Sequence, residues 1–172
     1  MIYLTDILTE SLFGGGMKLL EHERIIAKAV ISFMKREYKF DAKITVRKVG
    51  HDRYAGAVRL SDASVNRNKF YLSVGENQSV EEIIENLIHE LIHVKQISKD
   101  ELDVTDDWTE IKWKGDVYIS VKDYNTLLKK LGSGYRELPW ELEAERNVKR
   151  LYNKFMKSKE WKAISDQIET YR

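Results

Sequence analysis

Residues 79–97 read SVEEIIENLIHELIHVKQI, and the rest of the chain is best read outward from them. Ser79 followed three residues later by Glu82 is a capping-box pattern. The hydroxyl can accept from the amide of the glutamate, while the carboxylate reaches back to the amide of the serine. The pair follows a Gly75-Glu76-Asn77 break and opens an apolar-periodic run, which predicts a helix to about Ile97. At ~100° per residue, Val80, Ile83, Ile84, Leu87, Leu91 and Val94 gather on one arc, and His89 and His93 fall on the opposite one.

Upstream, Leu19, Leu20, Ile25, Ile26, Ala29, Val30, Phe33 and Met34 recur at helical spacing between Met17 and about Tyr38, which predicts a core-facing helix. The pattern then turns β-rich around Ile44 to Val49, Tyr54 to Leu60 and Phe70 to Val74. An antiparallel meander is the economical expectation. Downstream of the central helix comes an acidic loop, followed by Trp108 to Ser120, where Trp113-Lys114-Gly115-Asp116 suggests a hairpin turn. A short helix is expected at about Asp123 to Leu131, ending at Gly132-Ser133-Gly134. Pro139 sits where a first helical residue belongs, and a helix should run on to about Met156. Ser158 can cap a last helix carrying Trp161, Ile164 and Ile168. The class is α+β. Residues 1–16, an apolar-patterned piece ended by Gly14-Gly15-Gly16, are expected to form a flexible N-terminal arm, with residues 17–172 as a single domain.

Composition narrows the function classes. Across 172 residues, 29 lysines and arginines nearly balance 28 aspartates and glutamates, so no global field gathers nucleic acid, and none is expected as a partner. The chain has no cysteine, which excludes a disulfide framework and a thiolate nucleophile and leaves histidines and carboxylates as the metal-binding side chains. Residues 1–16 carry Asp6 and Glu10 and no cation, unlike a secretory signal, and no apolar run approaches the ~20 residues of a membrane span. A cytoplasmic location without membrane association is the expectation.

Residues four apart on a helix are rotated by only ~40° and rise ~6 Å, so the His89 and His93 rings project side by side and can hold one Zn²⁺ ion. Glu90, next to the first histidine, is placed to act as general base on a water at the metal. The four histidines are at 22, 51, 89 and 93, so an arrangement drawing a third imidazole from downstream is excluded. A downstream carboxylate is the natural replacement. In the helix after Pro139, Trp140, Ala144, Val148, Leu151, Tyr152 and Phe155 define an apolar stripe. Glu141 and Glu145 fall inside that stripe, and Glu143 falls outside it. A glutamate within an apolar stripe is costly unless partnered. Glu141 is therefore the expected third ligand, Glu145 a carboxylate that could support a ligating histidine, and Glu143 the fallback ligand.

With His89-Glu90-Leu91-Ile92-His93 followed by Glu141-Leu142-Glu143-Ala144, the chain resembles the gluzincin metallopeptidases, in particular the small ImmA/IrrE-like and phage-encoded ones. Pro139-Trp140-Glu141 and the Trp113-Lys114-Gly115 stretch followed by Tyr118 add to the likeness, which covers roughly residues 17–157. The resemblance implies a zincin-like fold: an N-terminal helix, a small antiparallel sheet, the HExxH helix, a hairpin insertion and a glutamate helix. It implies peptide-bond hydrolysis of a protein or peptide substrate, and an edge strand near Phe70 to Val74 that could pair with an extended substrate. Where such families carry aspartate or asparagine four residues after the metal-binding glutamate, this chain has Glu145. Tyr135 is a weak candidate for stabilising the oxyanion, with Tyr118 and His51 behind it. The competing expectation is a catalytically silent zincin-like structural or interaction protein, such as a phage particle component, with residues 1–13 contacting an assembly partner.

Overall fold

The computed structural model describes residues 18–49, 58–60, 68–105, 109–122, 126 and 135–171. In chain order these form α1 (Glu21–Tyr38), β1 (Lys43–Val49), β2 (Val58–Leu60), β3 (Lys69–Gly75), α2 (Val80–Ser98), β4 (Leu102–Val104), β5 (Glu110–Trp113) and β6 (Asp116–Ser120). A 3-10 turn at Tyr135–Glu137 then leads into α3 (Pro139–Phe155), α4 (Lys159–Lys162) and α5 (Ser165–Glu169). The chain is α+β. The expected arm at 1–16 lies outside the described residues, as does the helix expected at 123–131 apart from helical Thr126.

Helix α2 starts where its cap dictates. Ser79 Oγ accepts from the Glu82 amide at 3.2 Å, and the Glu82 carboxylate accepts from the Ser79 amide at 2.7 Å. Helix α3 begins with Pro139 in its first turn, where a missing N–H leaves no bond unmade. After α3, Ser158 caps α4, accepting from the Trp161 amide. The single last helix expected from sequence is instead two short ones, interrupted at Ile164, whose backbone leaves helical geometry (φ −123°, ψ −14°).

The first sheet is not the expected meander. Its order is β1-β3-β2, with β1 parallel to β3 and β2 antiparallel to it. Residues 50–57 separate β1 from β2, too long a link to force a hairpin as a two-residue turn would, so pairing is decided by burial. Strand β3 carries Phe70, Leu72 and Val74, all buried, and takes the central position. The expectation that Phe70 to Val74 forms an edge is therefore overturned.

The second sheet, β4-β5-β6, is antiparallel. Its hairpin turns at Lys114 and Gly115, both with positive φ (52° and 93°), the conformation that a tight primed turn requires and that glycine adopts without strain. Strand β4 lies in the stretch expected to be a loop. Three residues, Leu102-Asp103-Val104, carry too little alternation to announce a strand, yet they pair in register with Val104 opposite Ile111 and Leu102 opposite Trp113. In β6 the register skips Tyr118, a bulge that sends its ring edge-on against Trp140, centroids 5.6 Å apart.

Helix α2 sits in the middle of this arrangement. Its apolar arc (Ile83, Ile84, Leu87, Leu91) is buried in one continuous core with Val30 and Phe33 of α1 and Leu72 of β3. The opposite arc is not solvated either, because α3 covers it: Glu90, His93 and Gln96 are all buried. Among the described residues no helix is long and apolar enough to cross a membrane.

Candidate metal centre

Helices α2 and α3 meet at three side chains. His93 Nε2 lies 3.1 Å from His89 Nε2 and 3.1 Å from Glu141 Oε1, and His89 Nε2 lies 3.4 Å from Glu141 Oε2. Among the described residues this is the one group of three such side chains that could hold a metal ion. The spacing itself is informative. Tetrahedral ligands bound at ~2.0–2.1 Å stand ~3.3 Å from one another, so nitrogen and oxygen atoms at 3.1–3.4 Å already have the separation that a shared cation imposes. Without a cation the cluster is under-satisfied: among the described residues neither Glu141 Oε1, although close to His93, nor Glu90 Oε2 has a hydrogen-bond partner in the required geometry. Buried acceptors left in that condition are rare in folded proteins.

The electrostatics follow from burial. Desolvation works against the charge on Glu141, but the two imidazoles outweigh it and hold the carboxyl at about 2. Burial likewise opposes charge on His93, yet Glu141 beside it, helped by Glu90 and Gln96, lifts the imidazole to about 9. For Glu90, burial wins over the attraction of both histidines and raises the carboxyl to about 7. Two carboxylates one helix apart are thus driven in opposite directions, one toward permanent charge and the other toward proton exchange near neutrality. His89 keeps a side chain 18% exposed, so the cluster is reached from solvent on that side while His93 and Glu141 close the other.

The other candidates separate clearly. Glu143, the fallback ligand, turns away from the histidines and binds Lys95 at 3.0 Å and Lys114 at 3.1 Å. Burial opposes its charge, but these lysines outweigh it and lower its pKa. Glu145 is exposed, which overturns its supporting role: each helical turn drifts by ~40°, and one turn after Glu141 the side chain has left the α2 interface. Tyr118 belongs to an aromatic cluster with Trp113 and Trp140, not to the His89, His93 and Glu141 group. For Tyr135 only the backbone is described, in the 3-10 turn before α3, and His51 lies outside the described residues.

Gln96 takes the place that Glu145 was expected to fill. Its Oε1 lies 2.8 Å from His93 Nδ1, and its Nε2 donates to the Trp140 carbonyl at 3.1 Å. Sequence reasoning missed it, although its position three residues after His93 on the same helix was the available signal. Lys95, bridging Glu101 and Glu143, is the second omission; it ties the end of α2 to α3 two residues beyond His93 on one helix and Glu141 on the other.

Compared with family models, with curated proteins and with solved structures, the chain matches none.

Proposed function

We propose that the chain is a zinc-dependent peptidase of the gluzincin type, with a zincin-like core in which His89, His93 and Glu141 hold one Zn²⁺ ion. The observation carrying this reading is the convergence of three ligand atoms at 3.1–3.4 Å around a point flanked by the buried carboxyl of Glu90. Two imidazoles and one carboxylate leave a fourth tetrahedral position open, which fits a catalytic site better than a structural one. A zinc ion there would supply Lewis acidity toward a water and a substrate carbonyl.

The protein groups would do the rest. Glu90, held near neutrality by burial, takes a proton from the attacking water and returns it to the leaving amine. The carboxylate needs no solvent reorganisation to do so, being already dry and within the cluster. His93 is oriented by Gln96, and Glu141 stays ionised under all ordinary conditions, so the ligand set is ready before substrate arrives.

The test is a metal analysis with a peptide-cleavage assay on the same preparations. Wild type should carry one zinc per chain, and Glu141→Ala should carry none. Glu90→Gln should retain the metal while hydrolysis falls by about 10²–10⁴-fold, the usual contribution of a positioned general base. Metal binding without any hydrolysis in wild type would instead support the silent, structural reading, and absence of zinc after metal-replete refolding would end the peptidase reading.

A further inference from the structure

The charge balance of the whole chain hides a segregation that the first sheet creates. Strands β1, β2 and β3 contain Lys43, Arg47, Lys48, Arg59 and Lys69 and not one aspartate or glutamate. Alternation then sorts them. On the core side stand Ile44, Val46, Phe70, Leu72 and Val74, with Lys48 reaching the buried carboxylate of Glu23 at 2.6 Å. On the other side stand Lys43, Thr45 and Arg47 of β1, with Lys69, Tyr71 and Ser73 beside them in parallel register. Arg59 of β2 occupies the register position opposite Tyr71.

Lys43, Arg47 and Lys69 are exposed, and none has a carboxylate partner among the described residues. Four cations on the helices, Lys35, Arg36, Lys149 and Lys154, do each meet an aspartate or glutamate. Lys43 and Lys69 stand directly side by side, and like charges so placed destabilise a sheet unless something anionic lies over them. The Arg47 guanidinium lies 4.2 Å from the centre of the Tyr71 ring, so the middle of the face offers a planar cation stacked on an aromatic. A phosphate backbone with unpaired bases matches that combination: phosphates answer the lysines and the edge of the Arg47 guanidinium, and a base can stack on the arginine–tyrosine pair. A duplex could use only the cations, and an acidic peptide would have no use for the stack.

We propose that the outer face of the β1-β3-β2 sheet binds single-stranded nucleic acid, with Lys43, Arg47 and Lys69 on the backbone and the Arg47–Tyr71 stack as the base platform. The surface is formed by other residues than the metal cluster and is independent of any hydrolytic activity. The full chain is titrated into a fluorescein-labelled single strand of about 20 nucleotides, DNA and RNA in separate arms, with anisotropy read at about 50 and 200 mM salt. Three phosphate contacts predict a salt slope near −2, an affinity loss of about twentyfold between those salts. Lys43→Glu/Lys69→Glu should weaken binding at least about tenfold, and Tyr71→Leu at least about fivefold. Lys157→Glu/Lys162→Glu, the same change in net charge on other exposed residues, should leave affinity within about twofold. If a charge-reversed double variant does not fold, Lys43→Gln and Arg47→Gln singly should each still flatten the salt slope. The proposal is overturned by absence of saturable binding at the lower salt, by equal weakening in both double variants, or by binding to phosphatidylserine vesicles with none to the oligonucleotides.

Discussion

Gln96 joins the two helices of the metal cluster: its Oε1 faces His93 Nδ1 at 2.8 Å while its Nε2 donates to the carbonyl of Trp140, the residue before Glu141. Because a carbonyl can only accept, the amide nitrogen must face it, and the oxygen is left for the imidazole. Nδ1 of His93 therefore carries the proton, and Nε2 presents its lone pair to the site when the ring is neutral. One buried side chain sets the tautomer of one candidate ligand and is bonded to the residue before another.

Gln96→Leu, which preserves approximate volume but neither hydrogen bond, should lower zinc affinity by about 10–100-fold, the range seen when the partner of a metal-bound histidine is removed. Competition against a chelator of known affinity reads this directly. An unchanged affinity would show that His93 is oriented by packing alone.

Glu143→Ala should leave zinc stoichiometry at one per chain, because Glu143 is bound to Lys95 and Lys114 and does not enter the cluster. It should nevertheless cost about 1–2 kcal/mol in urea unfolding. Lys95 is largely buried, and losing one of its two carboxylates leaves it only Glu101. Loss of the metal in this variant would exchange the roles given to Glu141 and Glu143.

Ser79→Ala removes the acceptor for the Glu82 amide at the start of the helix that carries both histidines. A destabilisation of about 1 kcal/mol is expected, measured as a lower urea midpoint at unchanged slope. The ligand spacing lies about three turns away, so zinc stoichiometry should not change.

Acid should remove one identifiable contribution to stability. The Arg36 guanidinium, hydrogen-bonded to both carboxylate oxygens of Glu160 at 2.9 Å, holds that carboxyl at about 2 against an ordinary value of 4.5. A folded-state pKa below the unfolded one stabilises at pH values above 4.5, and that stabilisation is lost as pH falls from about 4.5 to about 2. Arg36 is 46% exposed, so solvent screening reduces the contribution to about 1 kcal/mol. The stability difference between wild type and Glu160→Gln should therefore be about 1 kcal/mol at pH 6 and should vanish near pH 2.

Local chemistry was legible without coordinates. The Ser79–Glu82 cap, the Pro139 start and the Lys114-Gly115 turn each depend on residues within a few positions of one another, so the helices and hairpin they delimit lie where the sequence puts them. The metal candidates were legible for the same reason. His89 and His93 are one helical turn apart, and Glu141 stood out as a carboxylate inside an apolar stripe, a placement that demands a partner. Glu145 shows where that logic stops: it stands at the margin of the apolar stripe, and a drift of ~40° over the four residues after Glu141 is enough to carry it out to solvent while Ala144 beside it stays buried.

What tertiary structure alone decided is everything set by which surfaces meet. It brought Glu141 within 3.1 Å of His93 across 48 residues of chain, and it gave Gln96 rather than Glu145 the histidine to hold. It paired β1 with β3 in parallel and left Lys43 beside Lys69. A sequence specifies hydrogen bonds and periodicities whose partners are a few residues apart, because the short chain between them leaves few geometries open. Contacts between distant residues are instead selected by burial of the whole core, and here that selection turned a nearly neutral chain into a protein with one cationic sheet face and one buried cluster of metal-binding side chains.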